Sequence, residues 1–179
     1  WGGLMISMDN GDSWVMHEGV PVNYYITSIQ VLANSEDEDD LQVLVSVRSH
    51  FFDRNDGGIW RGPLNPSAAE SWERVLSSPV FETAVSDAAS GNPTVLAACP
   101  YDGEATVIQS SDGGGSWKNA SEGIDWGSGD DGVAMQPFYP SVVLSQDGAV
   151  AFLGHTAAAG PRERAWEQHF ASHDLHYRA

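Results

Sequence analysis

Apolar and β-branched residues occur along this chain in short runs, and stretches rich in Gly, Asp, Asn, Ser and Pro separate them. Runs of this kind are typical of strands joined by turns, because turn residues supply the backbone angles that strand residues disfavour. The pattern predicts an all-β protein of antiparallel sheets. The strands are expected at 24–33, 41–48, 57–62, 71–75, 81–86, 93–99, 105–110, 116–119, 139–145 and 149–154, with two more within 2–16.

One eight-residue pattern occurs twice, since residues 7–14 read SMDNGDSW and residues 110–117 read SSDGGGSW. An Asp in a tight hairpin turn accepts hydrogen bonds from the backbone N–H groups that follow it, and Gly supplies a positive φ angle. The Ser before the Asp can brace the turn, and the Trp is expected to pack its ring against the base of the hairpin. The structural residues predicted in the two turns are Ser7, Asp9, Gly11, Trp14, Ser110, Asp112, Gly114 and Trp117.

Degenerate copies of the returning strand occur at Trp72 and Trp166. The four tryptophans of these strands then recur about every 50 residues, which is the length of a four-stranded propeller blade. The repeat therefore predicts a series of similar four-stranded units.

The eight-residue pattern resembles the Asp-box, or BNR, repeat of the sialidase-like β-propeller superfamily. The resemblance implies a β-propeller of four-stranded antiparallel blades, with the Asp-box residues in structural turns away from the axis. On this basis residues 1–179 form one propeller segment. Its expected parts are a half-blade 1–19, a blade 20–78, a blade 79–122, a degenerate blade 132–168 and a tail 169–179. Closed propellers typically have four to eight blades, so a partial ring is expected. Further blades in a longer chain, or an oligomer, would complete it.

Sialidases are the best-known enzymes of the superfamily that the pattern resembles. They use an arginine triad, a Tyr nucleophile paired with a Glu, and an Asp acid/base, and an early Arg-Ile-Pro motif usually carries the first arginine. The sequence has no Arg-Ile-Pro motif, and none of its arginines lies in a matching context. No catalytic residue is predicted, and the question of enzymatic activity is left open, with a non-enzyme favoured.

A second acidic, glycine-rich segment, residues 125–132, contains an aromatic residue. Trp126 lies there beside Asp125 and Asp130, and an aromatic ring near carboxylates suits stacking on a sugar. These three residues are the candidate ligand contacts. Two alternatives are a Trp packed between blades and acids that are only solvated, and xyloglucanase-type propellers suggest that Asp125 or Asp130 could be an axial acid.

The charge of the chain narrows the range of partners. The formal net charge is −17 with only eight Lys and Arg, and such a surface repels nucleic acids and anionic membranes. No apolar run approaches the roughly 20 residues of a membrane span. The acidic run 36–40 fits no defined calcium loop, and no metal or cofactor is predicted. Calcium remains the alternative there, since a hard cation would reduce the repulsion between the carboxylates. The compartment stays open, with an extracellular, periplasmic or organellar setting favoured over the cytosol.

Three classes of function remain. The favoured class is a non-catalytic binding or scaffold propeller that presents loops to a glycan or protein partner. A second class is part of a sialidase-like glycoside hydrolase whose catalytic residues lie mostly outside this segment. A third is a structural or assembly subunit of a larger complex.

Overall fold

The computed structural model describes residues 3–17, 24–32, 41–49, 57–64, 72–86, 92–99, 107–124 and 136–158. Within these ranges the chain is all-β, with antiparallel sheets and no helix, as the sequence predicts. The described strands are β1 (Leu4–Ile6), β2 (Val15–His17), β3 (Tyr24–Leu32), β4 (Gln42–Ser49), β5 (Gly57–Pro63), β6 (Glu73–Leu76), β7 (Glu82–Val85), β8 (Val95–Ala98), β9 (Val107–Ser110), β10 (Lys118–Asn119), β11 (Gln136–Leu144) and β12 (Ala151–Ala158).

These strands form four separate antiparallel units. The N-terminal hairpin contains β1 and β2, the first sheet has the order β3-β4-β5-β6, the second sheet has the order β7-β8-β9-β10, and the last hairpin contains β11 and β12. Every described strand therefore pairs with a neighbour in sequence, which is the order of an antiparallel meander.

The first and second sheets pack face to face through an apolar core. On β4, Leu44 faces this core, while Val43, Val45 and Val47 face the opposite side of the sheet. This alternation follows from the two-residue period of a strand. The core is completed by buried residues from both sheets: Leu32, Ile59, Val80, Val95, Ala97 and Cys99.

The two outer faces of this sheet pair are covered by the hairpins. Leu4 of the N-terminal hairpin joins the cluster around Val43, Val45 and Val47. Val142 of the last hairpin joins a third cluster that contains residues of the second sheet, among them Ala84, Leu96, Ala98 and Val107. The four units are therefore stacked in chain order, and both faces of each four-stranded sheet carry apolar contacts.

A glycine in β5 permits one of these contacts. A β-carbon at Gly62 would stand 2.2 Å from Cδ2 of Trp72, well inside van der Waals contact. The Trp72 ring thus lies directly on the backbone of β5, and it forms a T-shaped pair with the His17 ring at 5.1 Å between centroids. A larger residue at position 62 would displace the ring.

Candidate functional site

The first turn, residues 7–14, is held by a closed set of hydrogen bonds. Ser7 Oγ donates to Asp9 Oδ1 at 2.8 Å and accepts from the N–H of Gly11 at 2.7 Å. Asp9 in turn accepts from the N–H of Ser13 at 2.9 Å and from Ser13 Oγ at 2.5 Å. Each carboxylate oxygen of Asp9 thus has a partner within its own turn.

The second turn, residues 110–117, repeats this geometry. Ser110 Oγ donates to Asp112 Oδ1 at 2.6 Å and accepts from the N–H of Gly114 at 2.8 Å. Asp112 accepts from the N–H and the Oγ of Ser116 at 2.8 and 2.6 Å. The repeated pattern in the sequence therefore corresponds to a repeated pattern of hydrogen bonds.

The backbone at the tip of each turn explains the Gly in the pattern. Gly11 and Gly114 have φ angles of 97° and 93°, and the preceding Asn10 and Gly113 have 59° and 67°. Two successive positive φ angles characterise a type I′ hairpin turn, in which Asn-Gly and Gly-Gly are favoured. The sequence of both tips therefore matches the backbone they adopt.

The two turns differ in what surrounds them. Trp117 packs against the core between the two sheets, and Arg61 Nη1 of the first sheet donates to the carbonyl oxygen of Gly113 at 3.4 Å. Trp14, by contrast, is 60% exposed. Its ring lies 3.9 Å from where a β-carbon of Gly11 would stand. Most of the Trp14 ring therefore faces solvent.

A third turn, residues 145–150, lies between the strands expected at 139–145 and 149–154 and has similar bonds, although it lacks the full eight-residue pattern. Ser145 Oγ donates to Asp147 Oδ1 at 2.7 Å and accepts from the N–H of Val150 at 2.9 Å. Asp147 also accepts from the N–H of Ala149 at 3.0 Å. The signal that could have found it is the Ser-x-Asp spacing alone. The Gly and the second Ser lie at other positions or are missing.

The electrostatics of the turns limit their chemistry. The hydrogen bonds from Ser13 and Ser7 lower the pKa of Asp9 to about 2. Hydrogen bonds from Ser110 and Ser116 hold the pKa of Asp112 well below its usual range, and Ser145 and the N–H of Ala149 lower that of Asp147. A carboxyl group with so low a pKa is ionised at neutral pH and cannot act as a general acid.

Metal binding finds no support in the part of the chain that the structure describes. Those residues contain no group of three or more His, Cys, Asp or Glu side chains placed to hold an ion. The same residues contain no helix with the length and apolar character needed to cross a membrane.

A polar seam joins the first strands of the two sheets. Thr83 of β7 donates to Ser28 Oγ of β3 at 2.9 Å, and Gln30 Nε2 donates to the carbonyl oxygen of Thr83 at 3.0 Å. Ser46 Oγ of β4 lies 3.3 Å from Thr83 Oγ1 and is fully buried. These polar groups satisfy one another, so the seam fixes the register between the sheets rather than forming a reactive site.

Charged side chains lie at the same edge of the stack. The Arg48 guanidinium lies 5.5 Å from the ring centroids of both Tyr25 and Phe81, within cation–π range. Glu82 of β7 accepts hydrogen bonds from Ser141 Oγ and, at 3.3 Å, from the N–H of Val142. Glu82 thus ties the second sheet to the last hairpin, and its carboxylate has a structural partner.

The sequence-predicted ligand contacts Trp126, Asp125 and Asp130 lie outside the described residues, as do the acidic run 36–40 and the tail 169–179. The structure brings the eight predicted turn residues together in two groups, Ser7 to Trp14 and Ser110 to Trp117. Sequence reasoning also missed a set of large apolar side chains that are open to solvent: Met5, Met8, Val15, Met16, Tyr25, Ile29, Val31, Val143, Val150 and Phe152.

Comparison with known proteins adds no family to this geometry. A scan against protein-family models found no match, and a search of curated proteins found none either. The repeated turns and the stacking of the sheets are therefore the features from which a function has to be argued.

Proposed function

We propose that this chain is a non-catalytic scaffold, a segment of an Asp-box β-propeller that presents its loops to a glycan or protein partner. The observation that supports this most directly is the bonding of Asp9 and Asp112, whose carboxylate oxygens accept hydrogen bonds within their own turns. The most distinctive acidic residues of the sequence therefore serve the fold.

The stacking of the units supports the propeller part of the proposal. The first and second sheets are four-stranded meanders of consecutive strands, and the first strands β3, β7 and β11 lie next to one another from unit to unit. Four-stranded meanders arranged with their first strands together are the building plan of a propeller.

A structural subunit of a larger assembly is the second candidate, and the open apolar side chains favour it. Phe152 is 68% exposed and Val143, its cross-strand partner, is 58% exposed. Contiguous apolar surface of this kind marks a contact with another macromolecule.

The experiment that tests the proposal measures binding and turnover on the same native protein. We expect retention on a glycan array without hydrolysis of a panel of fluorogenic glycosides that includes a sialoside. Trp126→Ala should abolish glycan retention, because the ring is the predicted stacking surface. Trp14→Ala is the matched control, since it removes an exposed tryptophan from a turn.

The possible outcomes separate the functions. Hydrolysis at a rate proportional to the protein added would contradict a scaffold and revive the glycoside hydrolase. Glycan binding that survives Trp126→Ala would place the ligand elsewhere. Binding to no glycan, together with a stoichiometric complex with one defined protein, would favour the structural subunit.

A further inference from the structure

The last hairpin has one covered face and one open face. Val142, Leu144 and Leu153 contact the second sheet through the third apolar cluster. Val143 and Phe152 are opposite each other across β11 and β12 and point away from that sheet, because neighbouring residues of a strand face opposite sides. The outer face of the last hairpin is therefore an exposed apolar pair.

The first sheet also has an open strip, along β3 on the side away from the second sheet. Ile29 and Val31 lie there and are 50% and 49% exposed. Their register partners on β4, Val45 and Val43, are 0% and 4% exposed on the same face. The apolar face is thus covered at β4 and open at its first strand.

Inside the stack, surfaces of both kinds are covered by a neighbouring unit. β3 lies against β7, and β7 lies against β11, so the same stacking of first strands occurs twice in one chain. The open face of the last hairpin is where a following first strand would lie. The open strip of β3 is where a preceding one would lie.

The N-terminal hairpin carries a third sign of a missing neighbour. In the second turn Gly114 lies beside Leu44 and Val75 of the first sheet, at 3.4 and 3.7 Å from its would-be β-carbon, and Trp117 packs into the shared core. The first turn has the same internal bonds, but Trp14 remains exposed. A preceding sheet would cover Trp14 as the first sheet covers Trp117.

We propose that a second copy of this chain docks head to tail, with the β3 strip of one copy stacked on the outer face of the last hairpin of the other. The contact would continue the stacking that occurs twice within the chain. Both of its surfaces are apolar: one consists of Val143 and Phe152, and the other of Ile29 and Val31. The docking contact is argued from these surfaces alone, and only the expected number of copies rests on the proposed propeller.

A head-to-tail contact closes into a ring when the rotation per subunit permits it. Each chain contributes three stacked first strands, β3, β7 and β11. A closed dimer would therefore have six blades, within the range of four to eight that propellers adopt. The expected particle has twice the 19.2 kDa of one chain.

The charge of the chain sets the conditions for the test. Two copies that each carry a formal charge of −17 repel each other. Screening shortens the range of this repulsion to about 3 Å at 1 M salt. Association should therefore strengthen as salt is raised, by both screening and the apolar nature of the contact.

The test is sedimentation of the full chain, with variants that place a carboxylate in each half of the contact. Phe152→Glu and Ile29→Glu should each raise the dissociation constant about tenfold or more. Met8→Glu is the matched control and should leave it unchanged. Met8 is 73% exposed, and Ser111, which holds the same place in the second turn, stays exposed although that turn lies against the first sheet. All three positions are exposed, so far-UV circular dichroism should show that the variants keep their strands.

Mixing the two variants identifies the geometry of the contact. The Phe152→Glu chain keeps an intact β3 strip and the Ile29→Glu chain keeps an intact last hairpin. A head-to-tail contact therefore predicts that the mixture forms heterodimers at a concentration at which neither variant associates alone, because only the mixture contains an intact contact.

Any of three results would overturn the proposal. One is a chain that stays monomeric at about 100 μM in high salt, which would assign the open faces to another partner, such as a further blade of a longer chain. Another is association that neither substitution weakens. The third is an oligomer that each substitution disrupts but that does not form again when the two variants are mixed, which would contradict head-to-tail docking.

Discussion

The first and second turns have the same hydrogen bonds in different surroundings. In both, a Ser accepts from a Gly N–H and an Asp accepts from a second Ser. Ser110 is 1% exposed and Trp117 packs into the core, whereas Ser7 is only half-buried and Trp14 faces solvent. The comparison shows that the same local sequence gives the same turn at two sites of different burial, and we expect the buried turn to contribute more to stability.

The largest expected difference between the turns is in their tryptophans. Trp117→Ala should lower the free energy of unfolding by about 3 kcal/mol, because it leaves a cavity in the core between the sheets. Trp14→Ala should change it by less than about 1 kcal/mol, since most of the ring is already exposed. Urea unfolding followed by circular dichroism measures both values.

A conservative variant checks that volume is the cause. Trp117→Phe should cost less than Trp117→Ala, because it keeps an apolar ring and removes an indole N–H that is buried without an acceptor among the described residues. Equal losses of unfolding free energy for Trp14→Ala and Trp117→Ala would contradict this interpretation, because burial of the ring would then have no effect on stability.

The serines that brace the turns should show a smaller difference of the same sign. Ser110→Ala removes the acceptor of the Gly114 N–H inside the structure, and an unsatisfied buried donor costs about 1–3 kcal/mol. Ser7→Ala should cost about 0.5 kcal/mol or less, because water can replace the hydroxyl at an exposed turn. If the two variants unfold at the same urea concentration, the surroundings of Ser110 do not protect its hydrogen bond.

The smallest effect should be one that the two turns share. The pKa of Asp9 is lowered to about 2 from 3.8, and that of Asp112 is also lowered, so the unfolded chain binds more protons than the folded chain at low pH. The stabilisation from Asp9 is present above about pH 4 and is lost as pH falls through about 2. That from Asp112 is lost in the same direction as the pH falls.

Thermal unfolding between pH 5 and pH 2 measures this acid dependence. Asp9→Asn and Asp112→Asn should each flatten it, because neither amide titrates. Asp12→Asn is a control within the first turn, since Asp12 donates and accepts no side-chain hydrogen bond of that turn's closed set. Equal flattening by Asp12→Asn would mean that total charge, not the turn geometry, causes the dependence.

The features that the sequence predicted well are local ones. The boundaries of β3 and β5 were expected at 24–33 and 57–62 and are found at Tyr24–Leu32 and Gly57–Pro63. The hydrogen-bond donors and acceptors of both turns lie within a few residues of one another. Information for such features is contained in neighbouring residues, and a pattern search can find it.

The features that the sequence did not predict depend on distant residues or on prolines that a strand tolerates. Trp14 and Trp117 occupy the same place in the pattern, and only the neighbouring sheet distinguishes them. The strand β11 begins at Gln136, three residues before its predicted start, and includes Pro137 and Pro140. Proline lacks a donor, but β11 pairs only with β12 among the described strands and is irregular between Phe138 and Ser141, where a proline is tolerated.

The meander order of the strands has a consequence for how the chain folds. Every described strand pair joins neighbours in sequence, and each of the three apolar clusters joins two units that are adjacent in the stack. A molecule of this kind behaves as a one-dimensional array, whose cooperativity comes from the interfaces between adjacent units. Opening then begins at the two terminal hairpins, which have one interface each, and amide protons at the centre of β4 and β8 are the last to exchange.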